Sequence, residues 1–167
     1  MPPTRLNHAV LYVRDAEATA KFFADHLGFR ITAQLPGAVF IACADSLNDH
    51  DLGLFTIGEQ AGPSAAGRQT VGLYHLAWEV PTLGELQQLA EEMAAVGALR
   101  GASDHATSKS LYCVDPDGLE FELFWAVPAE HLPDGQEPVI ERLDLAAEID
   151  RFGAETAGRV TFVAPTS

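Results

Sequence analysis

Three shortages bound what this 167-residue chain does. Cysteine is scarce: only Cys43 and Cys113 occur, both in apolar, strand-like stretches, which argues for reduced, buried thiols and against a disulfide framework or a cysteine metal site. Long apolar runs are missing, since nothing approaches the roughly 18 consecutive apolar residues of a membrane span. The opening residues Met1, Pro2, Pro3 and Thr4 also lack the charged and apolar regions of a signal peptide, so no membrane association and a cytoplasmic location are expected. Basic residues are few, with 10 Lys and Arg against 24 Asp and Glu giving a net charge of −14. That balance repels phosphate backbones, and no nucleic-acid partner is expected. It leaves the character of a local site open, because a bound cation is often the largest charge in its surroundings.

What the chain has instead is one pattern written twice. From Arg5 the residues read as a strand to Val13, a helix capped by Asp15 and ended by Gly28, and three short strands at 29–34, 38–44 and 51–57. Ala18, Phe22, Phe23 and Leu27 are the apolar candidates on that helix. After a small-residue linker at 58–70 the order repeats. A strand over 71–80 leads to a helix opened by the capping box Thr82, Leu83, Gly84, Glu85 and ending near Gly97. Strands follow at 110–114 and 119–125, joined by the tight turn Asp115, Pro116, Asp117, Gly118. Neither half buries the apolar face of its sheet alone, so the expected fold is α+β, with paired βαβββ modules (5–57 and 71–125) forming a curled mixed sheet, a half-barrel, around a cleft. A domain over 1–126 and an extension over 127–167 result, the extension carrying a loop and an amphipathic helix over 139–152 with Ile140, Leu143 and Ile149 as anchors.

Overlaying the copies sets His8 on His75 and Gly53 on Glu122. Taken singly, either histidine reads as a hydrogen-bonded core residue. Their equivalence across the repeat, together with a carboxylate lodged between Phe121 and Leu123, favours a metal site, because an unpaired buried charge is strongly disfavoured. Two imidazoles and one carboxylate form the ligand set of a mononuclear non-haem Fe(II) centre with open positions for substrate and O2.

From Arg5 to Trp125 the chain resembles the vicinal oxygen chelate superfamily, which builds a metal site from paired βαβββ modules. The stretch His105, Leu111, Tyr112, Asp115, Pro116, Asp117, Gly118, Glu122 resembles the signature of the type I extradiol ring-cleavage dioxygenases. Ser103 departs from it, standing where that signature usually has Gly, Asn, Thr, Ile or Val. The resemblance implies His8, His75 and Glu122 as ligands of Fe(II), with Mn(II) as a possible replacement. It implies Tyr112 as the tyrosine that hydrogen-bonds a substrate oxygen, His105 as a histidine of the pocket wall, and His50 as a histidine assisting oxygen activation and proton transfer. The substrates implied are a small catechol-type aromatic diol and O2, and the assembly a homo-oligomer, dimer or higher. Larger members carry a further N-terminal domain of two more modules, which this sequence does not show.

Plain readings stand beside these. His50, between Asp49 and Asp51, reads on its own as a solvated turn residue, Tyr112 as a core aromatic and His105 as a surface loop residue. His26 suits the negative end of its helix. Two other functions use the same modules: a glyoxalase-like lyase or isomerase, which needs a fourth ligand where this chain has Gly53, and a metal-free drug-binding resistance protein, for which His8, His75 and Glu122 have no purpose.

Overall fold

The structure is a computed structural model that describes residues 3, 5–67 and 69–159. Most of the N-terminal tetrapeptide, position 68 of the linker and residues 160–167 of the extension therefore lie outside the described residues. The chain forms two compact units: the described residues up to Ala65 with Asp115–Leu119, and Ala66–Val114 with the described residues from Glu120 onward.

In the first unit the elements run β1 (Ala9–Val13), α1 (Ala16–Leu27), β2 (Arg30–Leu35), β3 (Ala38–Ala42) and β4 (Leu52–Thr56). They make a four-stranded mixed sheet in the order β1-β4-β3-β2, β1 pairing parallel to β4 and the others antiparallel. Asp15 caps α1 by accepting from the amides of Glu17 and Ala18, and Gly28 ends it at φ 70°, a left-handed turn that glycine adopts without a Cβ clash. The helix buries Ala16, Thr19, Ala20 and Phe23 and leaves Ala18, one of the expected apolar candidates, exposed.

In the second unit the order is β5 (Leu76–Glu79), α2 (Leu83–Ala95), β6 (Leu99–Asp104), β7 (Ser108–Val114) and β8 (Glu120–Ala126). A single 3-10 turn at Ala129–His131, a short β9 (Glu141–Arg142) and α3 (Leu145–Phe152) follow. The sheet order is β5-β8-β7-β6-β9. Thr82 accepts from the Glu85 amide at 3.2 Å, the N-cap half of the expected capping box, and its hydroxyl donates to the Glu85 carboxylate at 2.8 Å. The turn at Asp115 closes as expected, with the Gly118 amide donating to the Asp115 carbonyl at 3.0 Å.

The fold is α+β, with two separate mixed sheets and no closed barrel among the described residues. Other differences from the expected elements are local. β5 begins at Leu76 rather than at 71, so His75 stands one residue before its strand, as His8 stands before β1. β6 is a strand that the polar, glycine-containing run Leu99–Asp104 did not announce. The terminal helix starts at Leu145 because Asp144 caps it, accepting from the Ala147 amide, while Glu141 and Arg142 pair with β6 instead of coiling. Ile140 is thereby left exposed. Ile41, Leu52 and Leu54 in the first unit, and Leu83, Leu86, Met93, Leu111 and Trp125 in the second, are fully buried. Burial of this kind contributes about 1.5–3 kcal/mol for each large aliphatic side chain.

Candidate active site

Register turns the sequence repeat into a structural one. Val10 pairs with Gly53 across β1 and β4, and Ala77 pairs with Glu122 across β5 and β8, so each histidine precedes by two residues the partner of its equivalent position. Phe40 stands opposite Gly53 on the next strand, and Tyr112 opposite Glu122. A β-bulge falls one strand further on in both modules, between Ile31 and Ala33 and between Leu99 and Gly101, each just before the partner of Phe40 or Tyr112. Bulges re-aim neighbouring side chains, and here one serves each copy of the same position.

In the second unit this scaffold gathers three of the expected residues. His75 Nε2 lies 3.1 Å from Glu122 Oε2, both side chains largely shielded from solvent. The other nitrogen, His75 Nδ1, is buried with no hydrogen-bond partner. The rings of His75 and Tyr112 are 5.9 Å apart between centroids. Burial first, and the Glu122 charge second, hold the Tyr112 phenol above its ordinary pKa, so it stays protonated at neutral pH. Its oxygen lies 2.8 Å from His105 Nε2, which brings the fourth residue alongside. His105 is half-buried at the tip of the β6–β7 hairpin rather than on an open loop.

The first unit holds the remaining pair. His8 and His50 are packed with ring centroids 4.5 Å apart, and Phe40 lies 5.0 Å from His50. Their loop is built rather than loose. Asp51 accepts from the Cys43 amide, the Ser46 hydroxyl and the Asn48 amide group, while that same Asn48 group donates to the Asn7 carbonyl at 2.9 Å. His50 itself is only 17% exposed at its side chain, so the solvated-turn reading does not describe it. His8 Nδ1 lies 2.9 Å from the Asn7 side-chain oxygen. With the proton on that nitrogen, the lone pair of a neutral ring is on Nε2.

A divalent metal fits the donors of the second unit. Two ligand atoms each about 2.1 Å from one ion and at right angles to each other are about 3 Å apart, which is the spacing of His75 Nε2 and Glu122 Oε2. In either unit, among the described residues, no three His, Cys, Asp or Glu side chains gather to hold a metal on their own. Gly53 brings no acid to the first unit. A Cβ there would meet the Phe40 ring at 3.3 Å, so Phe40 fills the space that an acid on β4 would need.

One buried group went unnoticed in the sequence. Lys109 on β7 is fully buried, its Nζ 2.6 Å from Asp104 Oδ1 and 2.9 Å from Glu148 Oε2. The alternation Lys109, Leu111, Cys113 was the available signal, because it puts the lysine on the face of two core residues.

Residues 5–123 match the family described as the Glyoxalase/Bleomycin resistance protein/Dioxygenase superfamily. The chain is 32% identical to the biphenyl-2,3-diol 1,2-dioxygenase 3 of Rhodococcus globerulus, over 71% of this chain and 62% of that one. It is 30% identical to the catechol-2,3-dioxygenase of Bacillus subtilis (strain 168), over 72% of this chain and 41% of the relative. The chain thus spans less than two thirds of either relative. A lactoylglutathione lyase structure from Agrobacterium tumefaciens superposes with a TM-score of 0.56 at 24% identity, covering 74% of this chain and 95% of the other, which establishes a shared fold. With its doubled βαβββ register and a match running from the first strand of one module into the last of the other, the chain belongs to the Glyoxalase/Bleomycin resistance protein/Dioxygenase superfamily.

Proposed function

We propose that this chain is an Fe(II)-dependent extradiol dioxygenase, with His8, His75 and Glu122 as the iron ligands and a catechol-type aromatic diol and O2 as substrates. The observation that carries the reading is the His75–Glu122 donor pair with Tyr112 in register beside it. The two dioxygenase relatives support the same reaction class. When bound, Fe(II), or Mn(II) in its place, supplies a Lewis-acidic centre at which a chelating diol and O2 exchange electrons.

The chain's own residues do the rest. Tyr112, its phenol largely withdrawn from water, meets a substrate oxygen through a hydrogen bond. His105 holds the other side of the Tyr112 hydroxyl. His50 takes a proton from a catechol hydroxyl and returns one later, a role open to an imidazole, which can both accept and donate a proton. Both oxygen atoms of O2 enter the product as the ring bond beside the diol breaks, so uptake is one O2 per ring opened. The four-ligand arrangement of an isomerase lacks an acid on β4, where Phe40 occupies the space.

Anaerobic reconstitution with Fe(II), followed by a panel of catechols and air, tests the proposal. One equivalent of O2 consumed and a yellow ring-opened semialdehyde are expected. Iron-loaded protein that takes up no O2 with any catechol, or that instead converts a hemithioacetal when given Ni(II) or Zn(II), contradicts it.

A further inference from the structure

The C-terminal extension reaches His105 directly. The Val139 carbonyl lies 2.7 Å from His105 Nδ1, and the Val139 amide donates to the His105 carbonyl at 3.2 Å. A carbonyl only accepts, so Nδ1 carries the proton, and a neutral ring then has its lone pair on Nε2, facing the Tyr112 hydroxyl at 2.8 Å. The segment bearing His105 is strained as well. Ala106 sits at φ 61°, the only described non-glycine residue with positive φ, and the Thr107 amide closes a three-residue turn onto the His105 carbonyl at 2.7 Å. This positive-φ γ-turn is the rare, strained kind, and strain of that sort persists only where the surroundings enforce it. Here they do. Asp104 Oδ1 accepts from the Ala106 amide at 2.7 Å and from buried Lys109, and Lys109 also meets Glu148 on α3. Helix α3 is pinned further by Phe152 against Trp125, with ring centroids 5.4 Å apart.

We propose that the extension is part of the active site: Val139 fixes the His105 tautomer, and the Asp104–Lys109–Glu148 cluster locks α3 to the strained hairpin, so that Tyr112 donates to His105 and its oxygen, which the Ser103 side chain also meets, faces a substrate hydroxyl as an acceptor. This rests on the reading of Tyr112 as the residue that meets the substrate. His105, Val139, Lys109 and Glu148 are positioning residues, acting through Tyr112.

The test uses the full chain with ¹⁵N-labelled histidine. In metal-free wild type, His105 is expected as a single tautomer protonated on Nδ1, with the Val139 amide exchanging as slowly as its β6–β7 neighbours. Glu148→Leu, which removes the carboxylate that lies 2.9 Å from Lys109 Nζ, is expected to mix the tautomers and speed Val139 exchange about tenfold. With iron restored it lowers kcat about tenfold at unchanged iron content, less than outright loss of an acid–base group because Tyr112 and His105 both remain. Glu148→Asp, which keeps a carboxylate, restores most of each. An Nε2-protonated His105 in wild type, or rapid Val139 exchange there, overturns the proposal without any variant. So does Glu148→Leu with unchanged histidine signals and turnover. If the histidine signals behave as expected while no variant and no wild type opens a catechol, the brace is upheld and the dioxygenase reading falls.

Discussion

The two modules share a backbone plan and differ in chemistry. Both run a histidine into a strand paired in parallel with the module's last strand, and both place a β-bulge beside the same central position. At that position the first module pairs Gly53 with Phe40 and the second pairs Glu122 with Tyr112. A buried carboxylate needs polar company, and a glycine leaves room for an apolar ring. The substitutions therefore come as a pair: the acid with a phenol, the glycine with a phenyl. One half of the duplicated scaffold thus holds the acid, its histidine and the tyrosine, while the other keeps a histidine pair packed on Phe40.

The comparison breaks first at its polar partner. Tyr112→Phe makes the second module resemble the first at this position, and the expected outcome is a kcat lower by about a hundredfold with iron content unchanged. Phe40→Tyr, the reverse change, is expected to leave kcat within about twofold. Steady-state kinetics with metal analysis of both variants checks this, and equal effects from the two would dissolve the distinction. Gly53→Glu puts the second module's acid into the first. Its Cβ would press on the Phe40 ring at 3.3 Å, and a loss of about 1–3 kcal/mol in urea unfolding is expected. Adding Phe40→Ala should recover part of that loss, a coupling that separates filled space from mere charge burial.

His50→Ala tests the first module's contribution to turnover. Iron is retained and kcat falls about a hundredfold, measured by O2 uptake at saturating catechol; loss of iron instead would make His50 a ligand. The smallest effect concerns how each module turns into its last strand. The first gathers a nine-residue loop onto Asp51, the second a five-residue connection onto Asp115, whose Oδ1 accepts from the Asp117 and Leu119 amides. Burial, with the Asp117 charge adding to it, pushes the Asp115 carboxyl up to about 6 against the lowering effect of those amides. A raised folded-state pKa binds its proton more tightly in the folded chain, so this contribution is present below about pH 3.8 and lost as pH rises through about 6. Asp115→Asn should flatten that part of the pH dependence, gaining Tm relative to wild type at pH 7.5 and not at pH 4. An equal shift at both pH values would refute the assignment.

Much of this was legible in the sequence for identifiable reasons. A histidine opening each module's first strand segment and a carboxylate between Phe121 and Leu123 made His8, His75 and Glu122 stand out, and strand register, not equal spacing, makes His8 and His75 equivalent, since each precedes by two residues the partner of Gly53 or Glu122. Caps at Asp15 and Thr82 and the turn at Asp115 were readable because each rests on a local hydrogen bond. β6 was not readable, because Gly101, Ser103 and Asp104 carry no strand pattern and are held by pairing with β7 and β9. The partner of His105 was equally hidden: Val139 comes 34 residues later, and only the folded chain brings its carbonyl to the ring. Ile140 looked like a helix anchor, but pairing of Glu141 and Arg142 with β6 took that stretch out of the helix.

The most direct measurement is an anaerobic Fe(II) titration of the wild type and of Glu122→Ala, His75→Ala and His8→Ala, followed by desalting and metal analysis. One iron per chain retained by the wild type, and little or none by each variant, is the predicted result. Full retention of iron by any of the three would contradict the proposed ligand set.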